Sequence, residues 1–275
     1  MARILAVSSH VAYGSVGLAS IVPALQWLGH ETVPVPTVVL SCNPAYPHFA
    51  GKAVPADEIV AIIEALGANG WLAETAAVLS GYLPTRAHVE AVRDAVERVR
   101  AANPAALYLC DPVFGDEPEG LYLPGEIADA IRNRLLPLAD ITTPNSFELS
   151  YLSGLPASNP QEARIAAAAL PVATVLGTSI PADGNRLANV LVSAEGALAC
   201  YVARRAEAPH GTGDMLSAMF LGHRLNGASN THSLGAAAGA VDASVTAAHG
   251  LEELPLRGAG SVWRSAEILP TAPIF

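Results

Sequence analysis

The chain has 275 residues, 51% of them hydrophobic and 15% charged, which excludes disorder and suits one large α/β domain or two small ones. Its formal charge is -10 with no basic cluster, so neither nucleic acid nor an anionic membrane surface is an expected partner. Any phosphate-bearing ligand has to be held by backbone amides, metal ions and a few isolated cations.

Short apolar runs alternate with segments of helical period. Ile4 to Val7 reads as a buried strand, followed by a turn at Gly14 to Gly17 and a helix to about Leu28. Val33 to Leu40 is a second strand, Ile59, Ile62, Ile63 and Leu66 mark a helix face, and Ala77 to Leu79 is a short strand. Val89, Val92, Val96 and Val99 predict another helix, stopped by Asn103-Pro104 before the strand Leu107 to Cys110. Pro124 suits the first turn of a helix carrying Ile127, Ile131 and Leu135. Ile141 closes that unit as a strand, a helix follows Pro144-Asn145, and Val172 to Leu176 is strand-like. Leu187 to Val192 and Ala197 to Val202 can pair as antiparallel strands around Glu195-Gly196. The glycine loop at Gly211 and two long helices follow, the second spanning about Ser233 to Ala248.

This alternation, with near-continuous apolar strands, predicts a three-layer α/β/α sandwich around a mostly parallel central sheet. No linker or low-complexity segment interrupts the chain, so residues 1–275 are expected to form a single domain. Cys42, Cys110 and Cys200 are widely spaced, which suits a reducing compartment; Cys110 and Cys200 read as core, and Cys42 as a loop residue open to reaction. The N-terminus lacks a signal-peptide run and no stretch approaches about 18 consecutive apolar residues, so a cytoplasmic, soluble protein is expected.

The most informative stretch is Pro209-His210-Gly211-Thr212-Gly213-Asp214-Met215. Glycines ahead of a helix let several N–H groups converge on one anion at the positive end of the helix dipole. A carboxylate beside such a spot repels a resting phosphate, and removing a proton from a hydroxyl that attacks phosphorus would explain it. Read alone, the same run also fits an ordinary helix capped by Asp.

Polar residues collect just after the strands: Ser9-His10, Asn43, Gly81-Tyr82, Asp111-Pro112-Val113-Phe114-Gly115-Asp116, Thr143-Pro144-Asn145 with Glu148, and Thr178-Ser179. In open α/β sheets ligands bind at that end of the strands. Asp111, Asp116 and Glu148 have no evident cationic partner, and a hard divalent cation, most simply Mg²⁺, is the natural counter-ion. Gly14-Ser15-Val16-Gly17 is G-x-x-G and not a dinucleotide fingerprint, and a P-loop is absent.

Together these residues resemble the ribokinase-like superfamily and, within it, the pyridoxal kinase family. The likeness rests on Ser9-His10-Val11 with Tyr13-Gly14 and Val16-Gly17, Ser80-Gly81-Tyr82-Leu83, Cys110-Asp111-Pro112-Val113 with Gly115-Asp116, Thr143-Pro144-Asn145 with Phe147-Glu148, and Gly211-Thr212-Gly213-Asp214. The resemblance implies transfer of the γ-phosphoryl group of ATP to the 5′-hydroxyl of pyridoxal. By position, Asp214 would be the base and Gly211, Thr212 and Gly213 the anion hole. Asp111 and Glu148, with Thr143 nearby, would order Mg²⁺ and a monovalent cation such as K⁺. Asp116, Tyr122, Asn145, Thr178 and Ser179 would reach the nucleotide phosphates, and Ser9, Val16 and Tyr82 the pyridine ring. Adenine contacts would lie around Ala203 to Pro209, and the family is usually homodimeric.

The chain departs from the family at two places. Ser41-Cys42-Asn43-Pro44-Ala45-Tyr46 stands where the family tends to have Ser-Asn-His-Thr-x-Tyr, and Leu18 stands where an asparagine is common. Both are expected in the vitamer pocket, which leaves open a kinase for hydroxymethylpyrimidine or another ring alcohol, or a non-catalytic vitamer-binding protein.

Overall fold

A computed structural model describes residues 1–205, 208–256 and 261–275. In chain order its elements are β1 (Arg3–Val11), α1 (Leu18–Trp27), β2 (Glu31–Leu40), β3 (Gly51–Ala53), α2 (Ala56–Ala68), β4 (Thr75–Ser80), α3 (Arg86–Ala102) and β5 (Leu107–Cys110). Then come β6 (Gly115–Asp116), β7 (Gly120–Leu121), α4 (Gly125–Ala130), β8 (Ile141–Thr142), α5 (Ser146–Ser153), α6 (Pro160–Ala168) and β9 (Thr174–Ala182). The last are β10 (Arg186–Ser193), β11 (Gly196–Ala203), α7 (Thr212–Leu225), α8 (Asn230–Ala247) and β12 (Thr271–Pro273).

One sheet of 10 strands runs in the order β12-β11-β10-β9-β8-β5-β4-β1-β2-β3. The strands from β9 to β2 are parallel, and β3 at one edge and β10 to β12 at the other are antiparallel. Successive residues of β1 enter opposite cores: Ile4 and Ala6 pack with α1, α7 and α8, whereas Leu5 and Val7 pack with α2 to α6. Burial on both faces is why this strand reads as an unbroken apolar run. The expected three-layer sandwich with a mostly parallel sheet is present.

Several short elements escaped the sequence reading: β3, the β6–β7 hairpin, α6 and β12. None has a long apolar period. The alanine-rich α6 begins because Asn159 accepts the N–H groups of Gln161 and Glu162 at 3.1 and 3.0 Å, with Pro160 in its first turn. Pro124 is the cap before α4 and not its first residue. The helix expected from about Ser233 starts a turn earlier, where Ser229 accepts the His232 N–H at 3.2 Å.

The sheet reverses its winding between β1 and β4. From β1 the chain passes through α1 on one face to β2; it then returns through α2 on the other face to β4, on the far side of β1. Such a switch point opens a crevice beyond the strand ends. There is no helix among the described residues long and apolar enough to cross a membrane.

Candidate active site

The glycine loop reaches this crevice from above. Gly211 caps α7 in a left-handed conformation, φ 92°, and a Cβ there would lie 1.8 Å from the Ser15 carbonyl oxygen. Only glycine fits. The first helical bond runs from the Met215 N–H to the Gly211 carbonyl at 3.0 Å. The N–H groups of Thr212, Gly213 and Asp214 precede it and are aimed ahead of the helix, at the positive end of its dipole. Gly213 is exposed, and nothing lies within 4 Å of the Cβ it lacks. Of the three residues expected to form an anion hole, Gly211 shapes the turn and Gly213 leaves its outer face bare.

Asp214 does not cap its own helix, as the simpler sequence reading required. It is the third residue of α7, and its Oδ2 accepts the Gly17 N–H at 2.9 Å. Gly81, after β4, lies on the other side, where a Cβ would stand 3.8 Å from Asp214 Oδ1. The carboxylate therefore sits at the switch point between β1 and β4. Desolvation pushes its carboxyl up to about 6, and the Gly17 N–H acts in the opposite direction.

Below it lies a buried relay. Ser217 Oγ donates to Thr143 Oγ1 at 2.9 Å, and Thr143 Oγ1 donates to Asp111 Oδ1 at 2.9 Å. Burial pushes the Asp111 carboxyl up to about 7; the charge of Asp214 adds to this, and the hydroxyls of Thr143 and Ser217 oppose it. Ser217 was not foreseen. The signal available was its spacing, three residues after Asp214 on the same helical face.

Glu148 is buried and hydrogen-bonded through both oxygens. Its Oε1 accepts the Phe114 N–H at 3.0 Å and the Gly115 N–H at 3.5 Å, and its Oε2 accepts the Asn145 N–H at 2.9 Å. Asn145 Oδ1 accepts the Glu148 N–H at 2.9 Å, which completes a capping box for α5. Asn145 Nδ2 donates to the Gly115 carbonyl at 2.7 Å. Burial first, and then Asp111, holds the Glu148 carboxyl well above the usual carboxylate range. Tyr122 follows the β6–β7 hairpin, and its phenol is raised by desolvation and then by Glu148, Asp111, Asp116 and Asp214. Asp116 is exposed on β6; its carboxyl is raised mainly by desolvation, against which the Glu117 N–H acts by donating to Oδ1 at 2.8 Å.

No arginine or lysine among the described residues pairs with Asp111, Glu148 or Asp214. Nor do three His, Cys, Asp or Glu side chains among the described residues converge closely enough to hold a metal ion by themselves. Uncompensated buried carboxylate and an all-oxygen donor set from Asp111 and Thr143 fit a hard cation that shares its shell with phosphate oxygens and water.

Thr178 and Ser179 form a bulge in β9. Ile180 pairs with Ala188 and Gly177 with Val190, so the two residues together oppose Asn189. Ser179 is left-handed, φ 54°. The bulge turns them into a cleft that continues past Thr212 and Gly213 to the apolar walls of Leu187, Val202 and Val241. The expected adenine stretch, Ala203 to Pro209, borders this cleft through Ala203, Arg205 and Ala208; residues 206 and 207 lie outside those described.

Among the residues expected to reach the pyridine ring, Ser9 lies beneath the first glycine turn, where a Gly17 Cβ would sit 2.2 Å from Ser9 Oγ. Val16 is half-buried in that turn. Tyr82 is half-buried, with its N–H donating to Ser8 Oγ at 3.2 Å and its carbonyl accepting from Thr37 Oγ1 at 2.7 Å. Pro44 is exposed in a turn closed by Tyr46 N–H to Asn43 carbonyl at 3.0 Å, and Asn43 Oδ1 accepts the Ala45 N–H at 2.9 Å. Proline at the second position suits that turn.

Two expectations change. Leu18, expected in the pocket, is the first residue of α1 and is buried in the core formed with α7 and α8, because its apolar side chain follows the inward face of the helix. Cys42 is buried, and its thiol donates to the His48 carbonyl at 3.4 Å, so it is enclosed and not open to reaction.

Residues 17–260 match the model of the phosphomethylpyrimidine kinase family. The pyridoxal kinase PdxY of Corynebacterium diphtheriae is 37% identical over 229 residues, covering 80% of each chain. The chain belongs to the pyridoxal kinase family. That of Granulibacter bethesdensis is 38% identical over 240 residues, covering 82% of each chain. Pyridoxal kinase from Leishmania donovani, solved with ADP and pyridoxamine, superposes with a TM-score of 0.92 at 28% identity over 99% of both chains.

Proposed function

We propose that this chain is an ATP-dependent kinase that phosphorylates the 5′-hydroxyl of pyridoxal, with Asp214 as the base. The observation that carries the reading is the placement of Asp214: one carboxylate, with its proton affinity raised by burial, stands between the free N–H groups of α7 and the acceptor residues Gly81 and Tyr82. The family relatives named pyridoxal kinase, and the Leishmania donovani enzyme that holds ADP with pyridoxamine, support the same assignment.

Asp214 takes the proton as the acceptor oxygen forms its bond to the γ-phosphorus and the bond to the β-phosphate oxygen breaks. The N–H groups of Thr212, Gly213 and Asp214 hold the equatorial oxygens, where charge builds up. Thr178, Ser179, Asn145, Asp116 and Tyr122 line the approach of the nucleotide, and Ser9, Val16 and Tyr82 hold the ring. Asp111 and Thr143 would hold Mg²⁺, which supplies neutralising charge at the phosphate oxygens. Glu148 would join them at the cation site, its carboxylate held in place by the N–H groups of Phe114 and Asn145. A monovalent ion such as K⁺ would sit at the same acidic rim.

A second reading, a hydroxymethylpyrimidine kinase, draws on the matched family's description and on Pro44. A panel of ring alcohols with ATP and Mg²⁺ separates the two. Pyridoxal is expected to be the preferred acceptor, and absence of turnover with it overturns the assignment. Asp214→Asn should retain ATP binding by calorimetry while kcat falls by about two to four orders of magnitude. Near-normal turnover removes Asp214 from the role of base.

A further inference from the structure

The turn between β1 and α1 is gripped at both ends by carboxylates from distant parts of the chain. Gly17 N–H donates to Asp214 Oδ2 at 2.9 Å, and two residues earlier Ser15 N–H donates to Glu253 Oε2 at 2.9 Å. The other Glu253 oxygen accepts the Tyr46 hydroxyl at 3.0 Å, and the Tyr46 ring meets Tyr13 edge-on at 6.2 Å between centroids. Ser15 Oγ donates to the Leu254 carbonyl at 2.8 Å. The Glu253 carboxylate also lies against the bare Cα of Gly14, where a Cβ would stand 2.8 Å from Oε1. Opposite this clamp, the Ser15 carbonyl abuts Gly211 at the start of α7.

We infer that Glu253 is a positioning residue for phosphoryl transfer: it locks the turn 14–17 to the loop carrying Tyr46, and through the Gly17 N–H it keeps Asp214 aimed at the acceptor. The inference rests on the kinase reading above. A turn with glycine at both ends loses much conformational freedom on ordering, and an N–H can orient a carboxylate only as well as its own backbone is held. A charge-assisted bond at Ser15 supplies that hold at one end, and Asp214 receives it at the other. The same carboxylate ties down Tyr46, so the acceptor loop and the base share one fixed turn.

The test uses the full chain with Glu253→Ala and Glu253→Gln. Glu253→Ala should raise the acceptor KM by about tenfold or more and lower kcat, with the ATP KM within about twofold of the parent. Glu253→Gln keeps an oxygen for the Ser15 N–H and should restore most of the loss. Equal rises in both KM values, or no rescue by glutamine, overturn the inference. Hydrogen–deuterium exchange without substrates gives a readout independent of turnover. The amides of Ser15 and Gly17 should exchange faster in Glu253→Ala, and unchanged protection there overturns the clamp even if pyridoxal proves not to be the acceptor.

Discussion

On the side of the crevice proposed for phosphate, Asp111, Thr143 and Glu148 are 5%, 3% and 3% exposed; the first two follow strands β5 and β8 and are bonded to each other, and Glu148 sits in the first turn of α5. On the side proposed for the acceptor, Ser9, Val16, Tyr46 and Tyr82 are half-buried and Pro44 is exposed, and much of that wall is carried by loops. The first region keeps carboxyl groups away from water, which disfavours their charged forms; the second is held by side chains reaching across from remote segments. Phosphoryl transfer makes the same electrostatic demand whatever the acceptor, so rigidity belongs on the phosphate side. Selectivity belongs to the loops, where a turn can change without disturbing the sheet.

The largest expected effect sharpens this contrast within a single loop. A Cβ at Gly213 points into open space, so Gly213→Val should fold while its side chain blocks the phosphate, with kcat/KM for ATP falling by about two to three orders of magnitude. Calorimetric melting compared with steady-state kinetics checks both halves, and unimpaired turnover would remove Gly213 from the anion site.

A smaller effect tests the stored charge. The folded carboxyl of Asp111 lies at about 7, above its unfolded value of 3.8. Its contribution to stability is therefore fully present below the unfolded value and is lost as pH rises through about 7. Asp111→Asn should make the ligand-free protein more stable at pH 8 by about 1–3 kcal/mol, with no gain near pH 4, measured by urea unfolding at both values. Loss of stability at pH 8 would show that the carboxylate is compensated after all.

The smallest effect concerns the acceptor wall. Pro44→Thr restores the hydroxyl that the family resemblance leads one to expect there, and should lower the KM for pyridoxal by up to about tenfold while leaving the ATP KM unchanged. An unaltered KM for pyridoxal places the Asn43–Tyr46 turn outside the acceptor's reach.

The amino-acid sequence by itself determined the layered α/β plan, because apolar periodicity and turn residues act over a few neighbours. It also determined the chemical inventory: acidic residues following strands, and a glycine pair ahead of a helix with Asp214 inside it. Tertiary structure alone decided what those groups do. The Gly17 N–H on Asp214 and the Ser217–Thr143–Asp111 relay join elements far apart in the chain. So does Glu253, 238 residues from the Ser15 amide it holds. Leu18 directly follows the first glycine turn in sequence, yet the inward face of α1 places it in the core. Desolvation and long-range hydrogen bonds depend on which surfaces meet, and no local pattern encodes that.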